Sequence, residues 1–141
     1  MISVAEYMMG RDVTHALECT PAILHSAMIT VDVASRFLIL AKGAGVAITC
    51  LPDGSIVTSG WRPPSINART EGASPTSLHM VGDAVDLHDP EGTLDAWARN
   101  GGQKVLQDLG LWLESPLDTP RWCHIQTRPP PSGQRIFRSR R

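Results

Sequence analysis

Ser77-Leu78-His79-Met80-Val81-Gly82-Asp83-Ala84-Val85-Asp86 is the stretch on which the reading of this chain turns. It runs into a short β-prone segment, Ala84 to Leu87, in which successive side chains point to opposite faces. Ala84, Asp86 and His88 therefore share one face, and Val85 and Leu87 the other. An aspartate set inside a strand needs a partner for its charge, and a cation is an economical one. A second β-prone run, around Trp122-Cys123-His124, places His124 on the same side as Trp122 and Gln126. With His79 this makes two imidazoles and a carboxylate, a set that can hold zinc and leave one coordination position open for water. Singly, each has an ordinary reading as a surface aspartate or a hydrogen-bonded histidine. Together they point to a hydrolase site.

Outward from this centre, Thr20-Pro21 reads as a helix start, with the threonine accepting an orphan N–H and proline at the first helical position. Ile23, Ala27, Val31, Ala34, Leu38 and Ala41 then recur at spacings of three and four, and Gly43 supplies a stop. The residues before it, including Tyr7 and Arg11-Asp12, form a short helix or an extended arm, and the sequence does not decide. Val46 to Thr49 and Ser55 to Ser59 flank Pro52-Asp53-Gly54, which predicts a hairpin. Residues 63–78 have no apolar period and read as a long ordered loop of the functional kind. Leu94 to Arg99 and Lys104 to Leu109 are helical, separated by Asn100-Gly101-Gly102. Leu111 to Glu114 and Arg121 to Thr127 make a second hairpin around Ser115 to Pro120. The tail from Pro129-Pro130-Pro131 is extended, with Ile136 and Phe137 docking on the body.

The chain has 141 residues, 42% of them hydrophobic, which suits one domain around one core. A formal net charge of −1 gives no global attraction to nucleic acid or an acidic membrane, although five arginines fall between Arg128 and Arg141. No nucleic-acid partner is expected. Cys19, Cys50 and Cys123 lack metal-ligand or redox spacing, which argues for packing roles and synthesis in a reducing compartment. The start of the chain shows no basic-then-apolar leader, and no segment approaches the length needed to span a bilayer, so membrane insertion is not expected.

The pattern S-G-x-R, then S-x-H-x(3)-G-x-A-x-D, then W-x-H resembles the zinc D-alanyl-D-alanine carboxypeptidase and hedgehog-like peptidase superfamily. Here it stands as Ser59-Gly60-Trp61-Arg62, Ser77 to Asp86, and Trp122-Cys123-His124. Phage-encoded members are more similar still. They share a leader like Tyr7-Met8-Met9-Gly10-Arg11-Asp12, the run Ser59 to Pro64 with Asn67, and an ending like Trp122 to Gln126 before Pro129-Pro130. The resemblance implies an α+β fold, a small mainly antiparallel sheet backed by helices, over 1–141 as one zinc peptidase-like domain. Residues 1–20 would be an N-terminal arm and 129–141 a basic tail.

The resemblance makes His79, Asp86 and His124 the ligands of one zinc per chain. It gives Arg62 the carbonyl or developing oxyanion and Ser77 a part in holding substrate. His88 competes as a ligand because it shares the Asp86 face, but it lies outside the family pattern. Cys123 should turn away from His124 into the core. Many relatives carry an acidic general base three residues before the last histidine, and here that position is Arg121, which cannot act as one. Glu114 and Asp118 are the nearest acids. If the second hairpin is centred near Asp118, Trp112 opposes His124 and Glu114 opposes Trp122, so Glu114 projects beside His124 and is the candidate base. Asp118 then orders the turn.

These readings imply a zinc-dependent peptidoglycan peptidase, either a D-Ala-D-Ala carboxypeptidase or a stem or cross-link endopeptidase, acting as a monomer in a lytic or virion-associated role. It would be made in the cytoplasm and reach the wall by release or in a phage particle. The alternative is a non-catalytic, zinc-stabilised wall-binding or virion module, which the residue at position 121 favours. Polyanion binding through Arg135, Arg138, Arg140 and Arg141 ranks last, since basic tails are commonly just solvated.

Overall fold

The computed structural model describes residues 1–139; of the tail arginines, Arg140 and Arg141 lie outside the described residues. The architecture is α+β. Two short helices, α1 (Val4–Met8) and α2 (Arg11–Thr14), precede the long α3 (Pro21–Gly43). They are followed by β1 (Val57–Ser59), α4 (Pro64–Asn67), β2 (Ala84–His88), α5 (Thr93–Asn100), α6 (Gln103–Leu109), β3 (Trp112–Glu114), β4 (Trp122–Gln126) and β5 (Ile136–Phe137). The sheet order is β1-β2-β4-β3-β5. All neighbours are antiparallel except β3 and β5, which run parallel.

Strand parity divides this sheet into a core face and a working face. On the central strands the odd-numbered Val85, Leu87, Leu113, Cys123 and Ile125 are buried in the apolar core, joined there by Phe37 and Leu38 of α3, Leu94 and Ala98 of α5 and Leu106 of α6. Each large side chain buried this way contributes about 1.5–3 kcal/mol. The even-numbered Asp86, Glu114, Trp122, His124 and Gln126 line a cleft on the opposite side.

The long helix begins and ends where the sequence places it, with the Thr20 hydroxyl accepting from the Ile23 N–H and proline at the first position. By length and composition alone, α3 is apolar enough to cross a membrane. That corrects the expectation that no segment approaches such a length, since Asp32 and Arg36 interrupt the apolar run to the eye without ending it. In this fold Ala27, Val31, Ala34, Phe37, Leu38 and Ala41 of the same helix are core residues.

Two other expectations are also corrected. The turn at residues 51–54 forms, with the Gly54 N–H donating to the Leu51 carbonyl, but 46–49 make no strand. The Glu6 carboxylate instead accepts from the Ile56 N–H and the Ser55 hydroxyl, and Val46 and Ile48 pack against the core. The second hairpin forms with a shifted register, Trp112 opposite Gln126 and Leu113 opposite Ile125. Arg121, in the left-handed region at φ 76°, starts β4 later than a symmetric turn centred near Asp118 allows. A shift of two keeps every side chain on its expected face.

The N-terminal residues are integral to the body. Tyr7 is fully buried, its hydroxyl donating to the Ala84 carbonyl at 2.8 Å and its own carbonyl accepting from the Trp61 N–H. This approach explains Gly60, where a Cβ would lie 1.8 Å from the Tyr7 carbonyl oxygen. Gly82 has a comparable reason: it turns the chain at φ 83° while packed on α3, where a Cβ would meet the Ile23 carbonyl at 3.0 Å.

Behind β4, the Asp89 carboxylate caps α5 by accepting from the Leu94 and Asp95 N–H groups, while the buried Asp95 has an Oδ1 with no hydrogen-bond partner. Burial first, then the charge of Asp89, pushes the Asp95 pKa up to about 7; Cys123, hydrogen-bonded to it, pulls the other way. A raised acid pKa means the folded state holds a proton that the unfolded chain has lost. Stability therefore falls as pH rises from about 4 to about 7 and stays low above that. Asp95→Asn should melt higher than the parent at pH 8, with the difference shrinking at pH 5. An equal difference at both pH values would show that Asp95 is ionised throughout.

Candidate metal centre

The Ser59-Gly60-Trp61-Arg62 run works as a clamp on the short 3-10 turn Leu78–Val81 that carries His79. The Arg62 N–H donates to the His79 carbonyl at 3.0 Å, and the Trp61 indole N–H to the Met80 carbonyl at 2.9 Å. The Ser77 hydroxyl caps the turn by accepting from the His79 N–H. The imidazole is then fixed by its Nδ1–H, which donates to the Gly60 carbonyl at 2.9 Å and leaves Nε2 turned to Asp86 Oδ2 at 3.3 Å.

Asp86 and His124 face each other directly across the β2–β4 pair. His124 Nδ1 lies 2.7 Å from Asp86 Oδ1, and the His79 and His124 rings meet edge-on at 5.3 Å. One ligand atom from each of His79, Asp86 and His124 lies within 4.8 Å of the others. Burial opposes the charge of Asp86, but the two imidazoles outweigh it and hold the carboxyl well below the usual range. Burial also opposes protonation of His124, and the Asp86 hydrogen bond and charge, with Glu114, raise its pKa overall.

The β3–β4 register, carried one residue on, sets Glu114 against His124, and its Oε2 lies 3.8 Å from His124 Nδ1. Glu114 is 3% exposed and belongs to the same cleft wall. Asp118 is used elsewhere, accepting from the Arg138 guanidinium at 2.9 and 3.1 Å and from the Ser139 N–H. Arg121 is exposed and does not line the cleft. Arg62 is on the wall, with Nη1 donating to Asn67 Oδ1 and Nη2 to the Ser59 hydroxyl, both at 3.1 Å. His88 lies apart in a recess of about 80 Å³ beside Asp89 and Thr93. Cys123 is fully buried on the core face.

The cleft measures about 820 Å³ and runs between the 70–78 loop and the segment from Arg128 to Ser139. The tail is thus part of the site. Phe137 stands edge-on to His124 at 6.3 Å, Arg138 is paired with Asp118, and Arg135 stacks on Trp112 at 4.4 Å. Ile136 and Phe137 dock on the body as the sequence led one to expect, but their place in the cleft wall depends on the parallel β3–β5 pairing, which has no local signal. Sequence reasoning missed the Gly60 carbonyl, although Gly60 stands inside the motif.

A small sheet backed by helices carries, on the floor of a cleft, an imidazole–carboxylate–imidazole centre that could hold a metal ion. The chain belongs to the Peptidase M15 family, which matches residues 51–125, more than half of its length. No curated protein and no solved structure matches it. The family is zinc-dependent, and the residues present fit that ion: two imidazoles and one carboxylate converge, the His79 ring is oriented by its Nδ1–H on the Gly60 carbonyl, and all three line the open cleft.

Proposed function

We propose that this protein is a zinc-dependent peptidase that hydrolyses peptides of bacterial peptidoglycan, as a D-alanyl-D-alanine carboxypeptidase or a stem or cross-link endopeptidase. The observation that carries this reading is the meeting of His79, Asp86 and His124 with the buried Glu114 carboxylate on one cleft floor. His79, Asp86 and His124 would hold the zinc ion, which would supply Lewis-acid activation of water and of the scissile carbonyl. Glu114 takes the proton of the attacking water and delivers it to the leaving amine. Arg62, already oriented by Asn67 and Ser59, turns its forked donors to the carbonyl oxygen as charge grows there. Ser77, at the head of the turn bearing His79, helps hold the substrate backbone.

The binding-module alternative drew its support from Arg121. That support weakens because Arg121 faces outward while Glu114 brings an acid to the centre from another strand. The resemblance to phage-encoded members favours a lytic or virion-associated setting, with the wall as the place of action.

The test is digestion of purified peptidoglycan by chelator-stripped protein with and without restored zinc, read by mass spectrometry. New amino and carboxyl termini would name an endopeptidase bond, and free D-alanine alone a carboxypeptidase. Unchanged wall material from several bacterial types would leave the binding module as the better reading.

A further inference from the structure

We infer that Gln126 is a positioning residue that fixes which nitrogen of His124 is offered to the metal, an inference that rests on the zinc-centre reading above. Gln126 follows His124 by two positions on β4, so both side chains rise from the same face, and Gln126 is 5% exposed. Its Nε2 donates to the Arg128 carbonyl at 2.7 Å, and its Oε1 lies 3.0 Å from His124 Nε2. A backbone carbonyl can only accept, so the amide cannot be reversed without opposing two acceptors. The amide oxygen can also only accept, so His124 Nε2 must carry a proton. Asp86 Oδ1, 2.7 Å from Nδ1, also only accepts, so the metal-free ring donates from both nitrogens; with Nε2–H held by Gln126, Nδ1 is the nitrogen left to exchange its proton for a metal ion.

The two histidines are therefore set in opposite senses. His79 has its Nδ1–H held by the Gly60 carbonyl and offers Nε2, whereas His124 has its Nε2–H held by Gln126 and offers Nδ1. One restraint is backbone and cannot be substituted away; the other is a single side chain, anchored in turn to the segment that walls the cleft. A neutral amide also orients the ring without adding a third carboxylate beside Asp86 and Glu114.

The test is zinc affinity of metal-free protein, measured by competition with a chelator, for wild type, Gln126→Leu and Gln126→Glu, with metal-free melting curves as a check on folding. Loss of an outer partner that orients a ligating histidine typically weakens metal binding about 10–100-fold. Gln126→Leu should show that loss, and Gln126→Glu, which keeps an acceptor for Nε2–H but forfeits the bond to the Arg128 carbonyl, should retain more affinity than Gln126→Leu. Equal affinity in wild type and Gln126→Leu overturns the inference, as does equal weakening in both variants, which marks a packing role. Long-range proton–nitrogen spectra of the zinc-loaded wild type give a second readout without any variant. They should show His124 protonated at Nε2 and His79 at Nδ1, and a His124 proton at Nδ1 overturns the inference directly. A wild type that takes up no zinc overturns the metal-centre reading and this inference with it.

Discussion

Asp86→Ala is expected to remove zinc and hydrolysis together. Asp86 touches both imidazoles, at 2.7 Å and 3.3 Å, and no other carboxylate does so among the described residues. Its loss takes away the anionic ligand and leaves two imidazoles to hold a dication with no charged member of the set. The fall in affinity should exceed the roughly 10–100-fold typical of outer partners, because a coordinating atom itself is gone. Lewis-acid stabilisation of several kcal/mol goes with the ion, so turnover should fall by at least about a thousandfold. His88→Ala, in its separate recess, should alter neither quantity. Metal content and turnover on the same preparations check both claims, and full zinc occupancy in Asp86→Ala would refute the ligand assignment.

Glu114→Gln should lower turnover by about 10²–10⁴-fold while leaving zinc bound. The amide keeps the shape of the carboxylate but cannot accept the proton. Glu114 reaches the centre from β3, its Oε2 3.8 Å from His124 Nδ1, without being one of the three converging donors. Asp118→Asn should be far milder for catalysis, because Asp118 spends its oxygens on Arg138 and the Ser139 N–H. Near-normal turnover of the Glu114 variant would remove it from the mechanism and reopen the search for a base.

The parts of this protein legible in its sequence are those governed by short periods. Alternation along Ala84–His88 and Trp122–Gln126 separates Asp86 and His124 from Leu87 and Cys123, and the grouping of His79 with them follows from the motif. The long helix is legible from the Thr20 cap to Gly43 because its period and both its end signals are local. Glu114 shows where that legibility thins. Its face was readable, but its register was not, and only because the slip was two residues does the carboxylate still meet His124. What could not be read depends on distant segments. Glu6 satisfies Ile56 from fifty residues away, so the first expected hairpin never becomes a ladder. Phe137 reaches His124 only because β5 lies parallel to β3. Nothing in the local sequence announces either pairing.

The central claim is that His79 Nε2, Asp86 and His124 Nδ1 bind one zinc ion at the base of the cleft. Anomalous scattering from a zinc-soaked crystal, recorded on both sides of the zinc absorption edge, tests it most directly. One strong peak per chain is expected within about 2.0–2.2 Å of those three groups, with Glu114 outside bonding distance. A peak at His88 instead, or no peak at a zinc concentration that saturates M15 peptidases, would contradict it.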